Sequence, residues 1–386
     1  MAPDAPMTFY VVKGAPDSCG PGCDSWIAVE GKIDSGAAGH FRKFLSQQRD
    51  RNLPIYFSSP GGDVDQAVAM GNMLRERPTV ARVGRTVVSE CGLEAQDSEA
   101  CIRLKQLGRE LHGELITRGA LCASACPYLM LGAASHEVAP DALLGVHTPK
   151  VMISVRHGKP TQAMLDTAIE RGEERVHRML KNYISRMGID AGLLDLASSI
   201  KFEDMHILTR EELVRFGIDR REFVETPWTF ESNARNAVHK VVAQRRPGEA
   251  SFRLMRWWLV CFDSDHFVME FQRPVPVTSS FRTVSILVDA KPLNFTFLPT
   301  KVSGIEVWGL RMAQASVQSL PDLPQLEVTE ASLVADGRRV AQTTSLSNDG
   351  LAGALDRLSP TCPAPKGPAP SQALSSPEPS GEIRRP

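Results

Sequence analysis

With 386 residues, 42% hydrophobic and 23% charged, the chain can bury one large core or two moderate ones, and ordinary domain sizes favour two. Its net charge of -1, with acidic and basic residues interleaved throughout, offers no concentrated positive face to a phosphate backbone, so nucleic-acid partners are not expected. No apolar run approaches the roughly 20 residues that span a bilayer, and Met1 to Pro16 shows neither the charged nor the apolar region of an export leader, so no transmembrane segment is expected.

Eight cysteines, at 19, 23, 91, 101, 122, 126, 261 and 362, are an even number and many for a reducing cytosol, which favours disulfides and an oxidising compartment. Cys19-x3-Cys23 and Cys122-x3-Cys126 also have zinc-compatible spacing. No His pair at ligand spacing follows either, and Ser124 lies inside the second, so disulfides are preferred to metal. Eight cysteines connect in about 105 ways, which leaves the pairing open; a Cys261–Cys362 bond would tie the end of a second domain.

In chain order, Trp26-Ile-Ala-Val-Glu-Gly-Lys-Ile33 reads as a strand and Ala37 to Gln48 as a short amphipathic helix. Pro54-Ile-Tyr-Phe57 is a second buried strand that ends in Ser58-Ser-Pro-Gly-Gly62, and helical spacing follows through Val64, Val68, Met70, Met73 and Leu74. Val80 to Val83 is another strand. Thr86 to Thr117 then breaks the pattern with charges, two cysteines and a helix expected from Ile102 to Leu111, and reads as an insertion. The order resumes at Gly119-Ala-Leu-Cys-Ala-Ser-Ala-Cys126, enters an apolar helix over Pro127 to Leu131, and returns as the strand Ala142-Leu-Leu-Gly-Val-His147. Thr161 to Met187 is a long periodic helix, with shorter ones at Leu193 to Ala197 and Arg210 to Phe216. Strands alternating with helices imply an α/β layer architecture to about Asp219.

After Pro227 the runs Phe252 to Phe262, His266 to Phe271, Phe281 to Val288, Gly304 to Leu310 and Leu326 to Ala335 are strand-like, which implies a small all-β, sandwich-like domain. Trp257, Trp258 and Phe262 are expected in its core. From about Pro363 the chain is rich in Pro, Ser, Ala and Gly and is expected to be a disordered tail. The resulting division is an N-terminal segment to residue 24, an α/β domain over 25–225 with the insertion 86–117, a β-rich domain over 226–362, and the tail 363–386.

Acyl transfer needs a nucleophile, a base within reach of it, and backbone N–H groups aimed at the oxygen that gains charge. Gly61 and Gly62, directly after a buried strand, let the backbone approach a ligand and turn its amides outward. Ser124, between Ala123 and Ala125, stands at the start of a buried helix, where free N–H groups and the helix dipole favour developing negative charge. His147 ends a hydrophobic strand, so its ring is expected to emerge at the rim. Taken singly, a glycine turn, an N-cap serine and a rim histidine are common structural features; their order along one α/β chain gives them weight.

In that order the residues resemble the proteolytic subunit of Clp protease and its periplasmic relatives within the crotonase-like superfamily. Ser59-Pro-Gly-Gly62 with its following helix is similar to that family's oxyanion segment, Ala123-Ser124 with its apolar helix to the nucleophile segment, and Gly145-Val-His147-Thr-Pro149 to the histidine segment. The resemblance covers roughly Trp26 to Asp219. It implies a spiral of ββα units, oxyanion amides from Gly62 and Ala125, Ser124 as nucleophile, His147 as base and Asp204 as the third member, with Glu203 and Asp195 as alternatives. It also implies a peptide or protein substrate, no cofactor or metal, a periplasmic or secreted location, and a homo-oligomer as one assembly.

The chain departs from the Clp subunit in its long insertion, its cysteines around the nucleophile and its β-rich end, which put the barrel-shaped assembly and an unfoldase partner in doubt. A serine-lysine dyad through Lys150 ranks second, because a lysine in a loop after Pro149 would be hydrated. The competing functions are a non-catalytic, crotonase-like binding protein of the cell envelope, with a Cys122–Cys126 disulfide holding the serine away from the histidine, and an acyl-CoA enzyme, for which no basic site near Gly62 is visible.

Overall fold

A computed structural model describes residues 5–151, 160–232, 236–275, 281–288, 291–298, 304–333 and 338–363. The first part runs β1 (Thr8–Lys13), β2 (Ser25–Glu30), α1 (Ala37–Gln47), β3 (Ile55–Ser58), α2 (Val64–Leu74), β4 (Val80–Val83), β5 (Arg85–Val88), α3 (Glu99–Lys105), β6 (Leu111–Ile116), β7 (Leu121–Ala123), α4 (Cys126–Met130), β8 (Ser135–Glu137), β9 (Leu143–Val146), α5 (Gln162–Met187), α6 (Gly192–Ser199), β10 (His206–Ile207) and α7 (Arg210–Arg215). The strands form a seven-stranded sheet of order β5-β6-β1-β2-β3-β4-β8 and a three-stranded sheet of order β10-β9-β7.

Alternation along the central strands explains why the larger sheet is covered on both faces. Ile27, Val29, Ile55 and Phe57 point into the main core with α1, α2, α4 and α5, while Trp26, Ala28 and Tyr56 point into a smaller one with Tyr10, Val12 and Leu111. Two segments read as outside the repeat are built into this sheet. The N-terminal segment supplies β1, antiparallel to β2. The insertion supplies β5 and β6, with β6 parallel to β1, and it docks through buried Lys105, whose Nζ lies 3.1 Å from the Glu30 carboxylate. The helix expected over Ile102 to Leu111 is α3, which stops at Lys105; Gly108, at φ 72°, turns the chain so that Leu111 begins an alternating strand.

The remaining elements are β11 (Phe223–Glu225), β12 (Thr229–Ser232), β13 (Asn236–Gln244), β14 (Arg253–Cys261), β15 (His266–Pro274), β16 (Phe281–Val288), β17 (Lys291–Asn294), β18 (Thr296–Leu298), β19 (Ile305–Ala313), α8 (Gln314–Gln318), β20 (Leu326–Leu333), β21 (Arg339–Leu346) and α9 (Leu351–Leu358). The strands form two antiparallel sheets, one of seven strands centred on β13, β14, β15 and β19, the other of order β17-β16-β20-β21. Their inner side chains, among them Trp257, Phe271, Val284, Ile286 and Val328, share one core with α9. Trp257 lies in that core, but Phe262 is 56% exposed beneath the Arg311 guanidinium, since it follows the last residue of β14. The expected tail 363–386, beyond its first residue, and the end of the run to Ala335 lie outside the described residues. No described helix is long and apolar enough to cross a membrane.

All eight cysteines are paired, as Cys19–Cys23, Cys91–Cys101, Cys122–Cys126 and Cys261–Cys362, so none is left as a zinc ligand. Ordered disulfides are the pattern of proteins that fold in oxidising surroundings.

One partly buried acid opposes folding at neutral pH. Oδ1 of Asp141, in the turn before β9, is sealed from solvent without a partner among the described residues, and burial pushes the carboxyl up to about 6 against the opposing influence of Thr117 and Arg118. A raised carboxyl favours the protonated folded state, so its penalty is absent below the unfolded value near 4 and complete above about 6. Asp141→Asn is therefore expected to stabilise the protein at pH 7.5 by up to about 3 kcal/mol. Urea midpoints should show that gain shrinking towards zero at pH 4; an equal gain at both pH values would contradict it.

Candidate active site

The glycine turn reaches Ser124 because the end of β3 is stitched to β7. The Ser59 N–H donates to the Leu121 carbonyl at 2.8 Å, and the Ala123 N–H to the Ser59 carbonyl at 3.0 Å. The Gly61 N–H is held by Ser59 Oγ at 3.1 Å. Gly61 and Gly62 take φ values of 97° and 139°, which L side chains rarely adopt. Close approach reinforces the requirement: a Cβ on Gly61 would lie 2.5 Å from Ser124 Cβ and 2.9 Å from Ala125 N, and one on Gly62 would lie 2.2 Å from the Ile33 carbonyl oxygen. Neither the Gly62 nor the Ala125 N–H donates to an acceptor among the described residues.

Ser124 occupies the turn from β7 into α4 with φ 61°; among the described residues Asp17 is the other non-glycine at positive φ. Such backbone costs about 1–3 kcal/mol and persists where neighbouring structure enforces it. Here the enforcement is visible: the Ser124 N–H donates to the Gly145 carbonyl at 3.0 Å, Gly61 packs against the Ser124 Cβ, and the Cys122–Cys126 bond closes the turn. Ser124 is half-buried, whereas Ala123, Ala125 and Cys126 are buried.

Strand β9 carries His147 at its end. β9 is parallel to β7, with Ala123 opposite Gly145. Parallel neighbours lie about 4.8 Å apart and rise about 3.3 Å per residue, so Ser124 and His147 leave adjacent strands at the same end of one sheet. The next residue pins the chain: the Thr148 N–H and Oγ1 both donate to the Ile200 carbonyl, at 3.0 and 2.6 Å. The imidazole is not at an open rim. It is 6% exposed, covered by the Phe202 ring at a centroid distance of 4.9 Å, because the segment after α6 folds back over the strand end. Burial lowers the His147 pKa, while the Phe202 backbone carbonyl and the Glu203 carboxylate oppose the shift. Nδ1 is buried without a partner among the described residues, and no hydrogen bond joins the Ser124 hydroxyl to the ring.

Glu203 is exposed, and its negative charge favours the protonated ring of His147 against the effect of burial. Asp204, one residue on, is exposed and closes a turn through its N–H to the Lys201 carbonyl at 3.0 Å. Asp195 is exposed in the first turn of α6. Lys150 is exposed, with its ammonium 5.0 Å from the Phe202 ring centroid. The role of Phe202 has no signal in the sequence, where it is a lone aromatic in a polar stretch.

Among the described residues no group of three or more His, Cys, Asp or Glu side chains is arranged to hold a metal ion. A cavity of about 200 Å³ lies elsewhere, lined by Tyr56, Arg82, Glu137, Arg221 and Glu225, and includes neither Ser124 nor His147.

No protein-family model and no curated protein matches the chain. Among solved structures, a serine-to-alanine mutant of the 1510-N membrane-bound stomatin-specific protease superposes with a TM-score of 0.30 at 16% identity, over 54% of this chain and 77% of that one. The chain itself is a mixed α/β protein of several sheets, and its likeness to that protease structure is distant and partial.

Proposed function

We propose that the chain is a serine peptidase in which Ser124 attacks the acyl carbon, His147 takes and returns the proton, and the Gly62 and Ala125 amides receive the oxyanion. In this reading residues 25–225 form a hydrolase domain of the Clp-protease and crotonase type, residues 226–362 a β-rich domain, and the protein works outside the cytoplasm. The observation that carries it is the Ser124 turn: a serine at positive φ between strand and helix, with a glycine backbone packed on its Cβ and unengaged amides beside it. Strain of this kind gathers where function needs it, and free amides at a helix start suit a tetrahedral oxyanion. For the third member the reading keeps Asp204, with Glu203 and Asp195 as alternatives.

The test is reaction with a fluorophosphonate probe followed by peptide mapping. Modification at Ser124 is expected; modification elsewhere, or none, overturns the assignment. The pH profile adds a check, since the lowered His147 pKa keeps the ring neutral, and competent as a base, to below the ordinary value of 6.5. The labelling rate should hold steady from pH 8 to 6.5 and fall at more acid pH. A fall beginning above pH 7 would contradict a buried His147 as the base.

The Phe202 cover over His147 favours a second reading, a crotonase-like binding protein without turnover. Binding of an extended peptide with no labelling of Ser124 would establish it.

A further inference from the structure

The Ser124 turn is bracketed by a covalent bond whose partners lie on its two flanking elements. Cys122 is in β7, opposite Leu144, and Cys126 opens α4; both are fully buried. Their Cα atoms are 5.2 Å apart, whereas four residues of extended chain reach about 13–14 Å, so the backbone must reverse within the residues between them. Ser124 makes that reversal, at φ 61°. The other three bonds lie apart from it, in the Cys19 loop, in the insertion, and between β14 and the chain after α9.

We infer that the Cys122–Cys126 disulfide is a positioning device for the nucleophile, so that the activity proposed for Ser124 belongs to the oxidised protein. The inference rests on that reading of the site. Its sign follows from the contacts of the bracketed residues. With the bond closed, the Ser124 Cβ and Ala125 N are held against Gly61, on the side of the glycine turn. Opening it leaves only the N–H bond to Gly145 and the Gly61 packing to keep a serine in a conformation that serine disfavours, and relaxation moves the hydroxyl and the Ala125 amide together. Displacement by about 1 Å costs on the order of 100-fold in rate.

Because both sulfurs are buried, a dithiol reaches them only when the turn opens. Reduction then transfers two hydrogens from the dithiol, which closes to its own disulfide, and leaves Cys122 and Cys126 as thiols.

The full chain carrying Cys122→Ala with Cys126→Ala is compared with wild type and with a Cys91→Ala, Cys101→Ala control, by circular dichroism and by the rate of fluorophosphonate labelling at Ser124. Labelling is expected to fall about 100-fold in the first variant at retained secondary structure, and to stay within about twofold in the control. A second measurement covers a variant that fails to fold: wild type is treated with dithiothreitol over time, and each aliquot is split for labelling and for thiol alkylation with mapping. Loss of labelling should follow alkylation of Cys122 and Cys126, and reoxidation should restore it. A folded variant that labels like wild type, or a loss that follows another pair, overturns the inference alone. Absence of labelling in oxidised wild type overturns both the inference and the peptidase reading.

Discussion

His147→Ala protein is expected to react with a fluorophosphonate at Ser124 about 100- to 10,000-fold more slowly than wild type, the range over which a positioned general base contributes. A serine hydroxyl is a weak nucleophile unless a neighbour takes its proton. His147 suits that role because burial keeps the ring neutral and because the Thr148 bonds to Ile200 fix the end of β9. The substitution also removes the surface on which Phe202 rests, so some stability is lost with it. His147→Gln, which restores most of that contact without a base, separates the effects: its melting temperature should recover towards wild type while its labelling stays slow. Recovery of labelling in the glutamine variant would show that the ring acts by packing alone, and Lys150 would then be the base to test.

Gly62→Ala is expected to lose labelling by about 100- to 1,000-fold, the measured scale for one oxyanion donor, and to lose several kcal/mol of stability as well. A Cβ at φ 139° would stand 2.2 Å from the Ile33 carbonyl oxygen, a backbone atom that cannot rotate aside. That carbonyl accepts the Asp63 N–H at 2.9 Å, and the Ile33 N–H donates to Gly61 at 2.8 Å, so relief must come from the turn itself. Rotation of the turn would redirect the Gly62 N–H, the donor proposed for the oxyanion. Gly119→Ala makes the comparison sharp: its φ is also positive, at 64°, but nothing lies within 4 Å of the added carbon. It should cost about 1 kcal/mol and leave labelling near wild type. Equal labelling in wild type and Gly62→Ala would remove that amide from the mechanism.

Local patterns were enough for much of the architecture. Continuous apolar runs bounded by glycine or proline marked β2, β3 and β9, and alternating runs marked β14, β15, β16, β19 and β20, because burial on one face or two imposes those periods wherever the strand lies. Strand β13 was invisible for the opposite reason. Its centre, Ala237-Val-His-Lys-Val-Val, carries two polar residues, yet Lys240 is wholly buried, its ammonium held by the Thr226 carbonyl at 2.7 Å, Ser347 Oγ at 3.0 Å and the Glu225 carboxylate at 3.1 Å. Those partners come from two other stretches, Glu225-Thr226 and Ser347, the second more than 100 residues away, so no local window of sequence reveals that the charge is matched.

The residue types of the site, its order along the chain and its glycine turn were therefore determined by the sequence alone, since conformational freedom at Gly61 and Gly62 and the chemistry of Ser124 and His147 belong to the residues themselves. Only the tertiary structure decided that the insertion extends the main sheet and that Phe202 covers the imidazole. Each of these depends on segments far apart in sequence meeting at one sheet edge or strand end, and packing between distant segments leaves no period or spacing to read.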